Sequence, residues 1–302
     1  MSVLAALKKQ LSRAALAVVG VGAALTILFF LITWTSREAG KKKELRSAFE
    51  AGNYEEVMEK SLAALEKAPM DGFFLAVNGF ASYQIALSQI DGQSTLMYID
   101  RAIWSLRRAL LKNPSRAGQI YYVLGKAYYA KSADYAALAV KYLEAAKDEG
   151  VGARDIDEYL GLSYAALKEY RKSIASYSLL LDAGDEVHAP LLTRIAESYI
   201  GLEDWENARA YLMRCLETAK DTDLSRTTTL MLGKVLRSAG DLAASEAAFL
   251  EVLENGENAE AAYELGELYL SRGETTRARA AYRRSRRADP TFAPALARLN
   301  TM

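Results

Sequence analysis

The chain of 302 residues carries one histidine and one cysteine, and these two limit its chemistry. His188 stands in the stretch "DAGDEVHAP", which reads as a loop. A lone loop imidazole has no second base, nucleophile or ligand beside it, so it reads as a surface residue. Without a second histidine an H-E-x-x-H zinc site cannot form, and one cysteine excludes both a C-x-x-C cluster and an intrachain disulfide. Cys215 falls where its segment calls for a small buried residue, so packing accounts for it. No G-x-x-x-x-G-K-[ST] loop occurs; Gly125-Lys126 lacks the upstream glycine. Asp182, Asp185 and Glu186 lack calcium-loop spacing. The residues therefore predict no cofactor, no metal site and no enzyme.

Charge is the other source of chemistry. Lys plus Arg and Asp plus Glu number 38 each, so no global basicity argues for nucleic acid as the main partner. Positive charge does crowd near the end, at Arg272, Arg277, Arg279, Arg283, Arg284, Arg286 and Arg287. The simplest reading is a solvated outer helix, since terminal elements of a stacked array need a polar face. The functional alternative is a docking patch on Arg279, Arg283, Arg284 and Arg287 for an acidic protein, ahead of nucleic acid.

The elements behind these residues are legible from a repeat. "LGELY" at 265–269 has near-copies in "LGKAY", "LGLSY", "IAESY" and "LGKVL" upstream. Their small residues, Gly125, Gly161, Ala196, Gly233 and Gly266, stand 36, 35, 37 and 33 positions apart in turn. A period near ~34 with helical patterning marks stacked helix pairs. Gly or Ala at a helix crossing lets two backbones approach, and the large residues at i−1 and i+3 fill the space around it. A turn glycine such as Gly273 or Gly240 follows, and a proline such as Pro290 closes the unit.

This pattern resembles the tetratricopeptide repeat family over roughly residues 38–292, in about seven units. Unit one ends in "GNYEEVMEKSLAALEKAP" and unit two in "IDRAIWSLRRALLKNP". Unit two matches poorly in its first helix, where Asn78 occupies a large apolar position, and it carries about 11 extra residues near "SQIDGQSTLMY". Unit three is extended at "AKSADYAALAV", and "TFAPALARLN" after Pro290 reads as the start of a short capping helix, with residues 293–302 as the capping segment. The resemblance implies an all-α, right-handed α-solenoid over residues 37–292 that binds other proteins or peptide segments in a concave groove lined by the first helix of each pair. By the family pattern, Tyr122, Lys126 and Tyr129 lie on that groove, with Glu158, Glu197, Lys234 and Tyr263 at corresponding later positions. Some relatives clamp a C-terminal carboxylate with Lys and Asn. Lys126 is suitably placed for this, but Glu158 and Glu197 follow it, so no such clamp is expected.

Ahead of the repeats, no charged residue occurs from Ala14 to Ser36. About 20 apolar residues span roughly 30 Å as a helix, the thickness of a bilayer's hydrocarbon. Lys8, Lys9 and Arg13 precede the run, Trp34 ends it, and "ITWTSREAG" offers no good cleavage site. The expectation is a basic tail at 1–13, a single transmembrane helix at 14–36 entering the lipid bilayer through 14–34, and a scaffold in a membrane complex, bacterial and of the envelope, secretion or motility type. A chaperone-like module for exported or unfolded chains is the alternative, followed by an RNA-binding helical repeat. The basic tail favours repeats on the periplasmic side of an inner membrane; Arg37, Lys41–Lys43 and Arg46 pull toward the cytoplasmic face.

Overall fold

The computed structural model describes residues 39–112, 114, 117–182 and 188–302. The expected tail and anchor at 1–36 lie outside these residues, as do Asp185 and Glu186. Among the described residues no helix is long and apolar enough to cross a membrane. They form fifteen α-helices, one short 3-10 turn and no strand. Two compact units result, one ending at Ser176 and the other running Tyr177–Met302.

The first unit holds α1 (Ala39–Glu50), α2 (Tyr54–Lys67), α3 (Gly72–Ser88), α4 (Gly92–Leu110), α5 (Gly118–Lys131), α6 (Ala136–Asp148), α7 (Ile156–Ala166) and the start of α8 (Tyr170–Asp182). The second holds the rest of α8, then α9 (Ala189–Gly201), α10 (Trp205–Thr218), α11 (Thr222–Ser238), α12 (Leu242–Glu254), α13 (Ala259–Ser271), α14 (Thr275–Ala288) and α15 (Ala293–Thr301). Local chemistry starts these helices. Asp71 accepts from the Phe73 and Phe74 amides at 2.9 and 3.2 Å, and Asp91, Asp204, Asp241 and Asn258 cap α4, α10, α12 and α13 in the same manner.

Small residues set the helix crossings. A Cβ on Gly125 would lie 2.5 Å from Leu143 Cγ and 3.1 Å from the Leu143 backbone nitrogen. On Gly233 and Gly266 it would meet the Phe249 and Tyr282 rings, each at 2.5 Å. Gly161 and Gly233 each accept a 2.8 Å bond at their carbonyls, from Ser173 and Ser245 on the facing helix. Ala196 takes the corresponding place in α9 and is fully buried with Ala208 and Leu212. Seven residues after the crossing the chain turns with positive φ, at Gly240 (87°) and Gly273 (77°). Lys168 (60°) and Glu203 (57°) take the same turn without glycine.

The third and fourth helices depart from the pattern instructively. The extra residues of this pair form no loop; they lengthen α3 to 17 and α4 to 19 residues. Phe73 through Ala86 are all buried, so α3 is covered on every side. Asn78 is not a defect there. Its amide donates to Met58 O at 3.2 Å and Ser61 Oγ at 3.0 Å, and its carbonyl accepts from Ser105 Oγ at 2.8 Å. A fully buried amide is tolerated because each partner is supplied, and it ties α2, α3 and α4 together.

Candidate partner-binding surfaces

Of the residues expected on the groove only Tyr122 and Lys126 are fully buried; Tyr129, Glu158, Lys234 and Tyr263 are half-buried and Glu197 is exposed. In the first unit Tyr122 and Lys126 project from α5 but are fully buried, so neither is an accessible binding residue. The cause is Asp155, which precedes α7. Lys126 Nζ donates to its Oδ2 at 2.7 Å and to the Tyr122 hydroxyl at 3.1 Å, while the Tyr122 hydroxyl donates to Oδ1. Asp155 stands at the N-cap of α7 yet spends no side-chain bond on that helix. Lys126 Nζ also lies 4.6 Å from the centroid of the buried Tyr159 ring. Tyr129 is half-buried and meets Tyr159 edge-on at 5.3 Å; Glu158 is half-buried too. This face of the first unit is core, organised around one buried ion pair.

Titration follows from that burial. Desolvation, reinforced by the Asp155 charge, pushes the Tyr83, Tyr122 and Tyr159 phenols well above their usual range. Desolvation lowers the Lys126 ammonium, against the pull of Asp155. The raised phenols contribute stability that is fully present below about pH 10, the unfolded value, and lost as pH climbs toward their folded values. Lys126 has the opposite sign: its deficit is relieved as pH rises toward its unfolded value. With three phenols against one ammonium, stability is expected to fall steeply above about pH 10, at up to ~1.4 kcal/mol per pH unit for each tyrosine. Circular dichroism and tyrosinate absorbance should move together in an alkaline titration, and Tyr122→Phe should flatten the slope. Full tyrosinate formation near pH ~10 in a chain that keeps its helices would contradict this account.

The second unit keeps the corresponding face open. Glu197 on α9 is exposed, and desolvation raises its carboxyl against the pull of nearby Arg194. Lys234 on α11 is half-buried and pairs with Glu260. Arg237 meets Glu264 at 2.5 Å, and Arg298 of α15 grips Glu267 through two 2.6 Å bonds. Tyr263 is half-buried, its ring 5.8 Å from Tyr282 and 5.7 Å from Phe292. Side chains of both signs thus line successive first helices in ion pairs.

The terminal arginines are partly committed. Arg272 pairs with Glu246 at 2.5 Å, and Arg277 bridges Glu246 and Glu274 while covering the Tyr269 ring at 4.0 Å. Arg284 reaches Glu257 at 3.3 Å and Leu253 O at 2.8 Å, and Arg279 donates to the Met302 carbonyl. Arg283, Arg286 and Arg287 are exposed. Of the four arginines expected as a docking patch, only Arg283 and Arg287 are both exposed and without an ion pair among the described residues, so the patch is smaller than the composition implied. His188 is exposed and Cys215 buried against Thr193 and Thr228, each within 3.5 Å. Among the described residues no group of three His, Cys, Asp or Glu side chains could hold a metal ion. Asp155 and Tyr83 were invisible to repeat alignment, because one precedes its helix and the other lies in the poorly matching third helix.

Models described as tetratricopeptide repeat match residues 189–222 and 230–291. The fold is similar to the C-terminal part of a TPR repeat-containing protein from Cytophaga hutchinsonii, with TM-score 0.60 and 15% identity over 84% of this chain and 98% of that one. It is also similar to a tetratricopeptide repeat protein from Parabacteroides merdae, with TM-score 0.51 and 14% identity over 85% of this chain and 95% of that one. BtubC from P. vanneervenii reaches TM-score 0.50 at 18% identity, covering 68% of this chain and 93% of that one. No curated protein matches the chain.

Proposed function

We propose that these tetratricopeptide repeats form a non-catalytic scaffold that holds one partner protein along the first helices of the second unit. The observation that carries this reading is the contrast between the units. The face occupied by a buried ion pair in the first remains solvent-accessible in the second, at Glu197, Lys234 and Tyr263. In this reading the repeats follow a transmembrane helix at 14–36, and the scaffold assembles a membrane complex of a bacterial envelope. The uncharged run and the missing cleavage site support the anchor. The repeats lie on the periplasmic side. What supports this is the basic tail Lys8, Lys9 and Arg13, which resists export, set against Arg37, Lys41–Lys43 and Arg46 beyond the span.

Photo-crosslinking in intact membranes tests both parts. A crosslinker at 197 or 234 is expected to trap one stoichiometric partner, and one at Arg209 on α10 to trap none. The full chain should resist carbonate extraction, and a C-terminal reporter should be active outside the cytoplasm. A broad smear of unrelated chains from position 197 would replace the scaffold by a chaperone-like module. A mature chain starting near Arg37 would remove the anchor.

A further inference from the structure

The helix α4 carries a feature that the open face of the second unit does not explain. Met97, Trp104 and Leu111 recur every seven residues, so they line one side of the helix and its end. They are 49%, 51% and 72% exposed, an uncommon expense of large apolar side chains on one ridge. Beside the ridge runs a crevice of 510 Å³ lined by Ile103, Trp104, Leu110 and Leu111 of α4 and Tyr142 of α6. That volume lies within the ~300–1,000 Å³ typical of sites that accept an inserted group.

The rim is basic. Arg107 is exposed, the Arg108 guanidinium lies 4.2 Å from the Trp104 ring centroid, and Lys141 Nζ sits 5.8 Å from the Tyr142 ring centroid. The acidic residue lining the crevice, Asp100, is already bonded by Lys131 at 2.6 Å. The charge left to an incoming group is therefore positive, next to an apolar slot.

We propose that this crevice docks an acidic amphipathic helix of a partner protein. An apolar side chain of that helix enters between Trp104 and Tyr142, and its carboxylates meet Arg107, Arg108 and Lys141. Charge selects this occupant. The chain's own stretch 1–38 carries Lys8, Lys9, Arg13 and Arg37 against Glu38 alone, and would be repelled. A second copy docking through the same face would bring the same positive rim. A lipid surface suits a protruding wedge better than a slot. The site lies on second helices of their pairs, and is independent of the scaffold face at Glu197 and Lys234.

Fluorescence anisotropy with the full-length chain in a non-ionic detergent tests the proposal. The probe is a labelled synthetic helical peptide with leucine and phenylalanine on one face and glutamate on the other. It should bind about tenfold or more tightly than its lysine-for-glutamate counterpart, and weaken as salt rises. Trp104→Ala, and separately the pair Arg107→Glu with Lys141→Glu, should each weaken it about tenfold or more at unchanged melting temperature, because these side chains are exposed. Lys234→Glu should leave it unaltered, which separates this site from the second-unit face. Equal binding of the lysine peptide, or no effect of Trp104→Ala, overturns the proposal. So does Trp104-dependent binding seen only to micelles doped with phosphatidylserine, which would assign the ridge to lipid.

Discussion

Lys126→Ala is expected to destabilise the first unit by about 3 kcal/mol. Removing one partner of a buried pair leaves the other charge uncompensated, which costs ~3–5 kcal/mol. Here the surviving Asp155 has an outlet that reduces the loss. It stands at the N-cap of α7 with its side chain unused for capping, so it can turn to those amides and recover ~1 kcal/mol. Lys126→Met keeps the methylene packing and isolates the charge effect. The double variant Lys126→Met with Asp155→Asn removes both charges while preserving an acceptor for Tyr122, and should regain most of the loss. Urea unfolding of the wild type, Lys126→Met, Asp155→Asn and the double variant gives the coupling directly. A cost below ~1 kcal/mol for Lys126→Met would mean that the pair does not organise this core. Lys126 variants should also lose partner binding only in proportion to unfolding, since the side chain never reaches the surface.

The second large effect is expected at Gly125. The Leu143 nitrogen only 3.1 Å from an added Cβ means that the backbones of α5 and α6 nearly touch, and the Leu143 side chain stands closer still. Overpacking a core costs ~1–3 kcal/mol where side chains can give way, and Gly125→Leu should exceed ~3 kcal/mol because part of the obstacle is main chain. Gly125→Ala separates the two obstacles. Its cost should drop when Leu143→Ala removes the nearer clash, although Leu143→Ala alone destabilises by ~2–5 kcal/mol. Equal cost in both backgrounds would show that Leu143 does not set the helix spacing.

Both effects depend on where a helix face ends up, and this separates what the sequence determined from what tertiary structure decided. Helix existence, pairing and the crossing positions were legible because their causes are local. Apolar spacing near ~3.6 and a small residue at fixed offset act within a few turns of chain. Even so, local chemistry was permissive rather than strict: Lys168 and Glu203 adopt the turn that glycine makes elsewhere. The extra residues near "SQIDGQSTLMY" were legible as an insertion, but not that they lengthen α3 and α4, since residues of helical character extend a helix when both ends can still be capped. Exposure was legible only in part: His188 is exposed and Cys215 buried as their segments implied. Tyr122 and Lys126 have the register of groove residues, but whether a groove is open depends on what reaches it from elsewhere. Asp155, 29 positions from Lys126 along the chain, closed it with a hydrogen-bonded ion pair. Asn78 looked wrong for a core until its three partners on two other helices were in place. Met97, Trp104 and Leu111 are apolar and yet stand outside the core. Periodicity states which residues share a face; only the packing of distant segments decides whether that face meets protein or water, because burial is a property of pairs of surfaces and not of one.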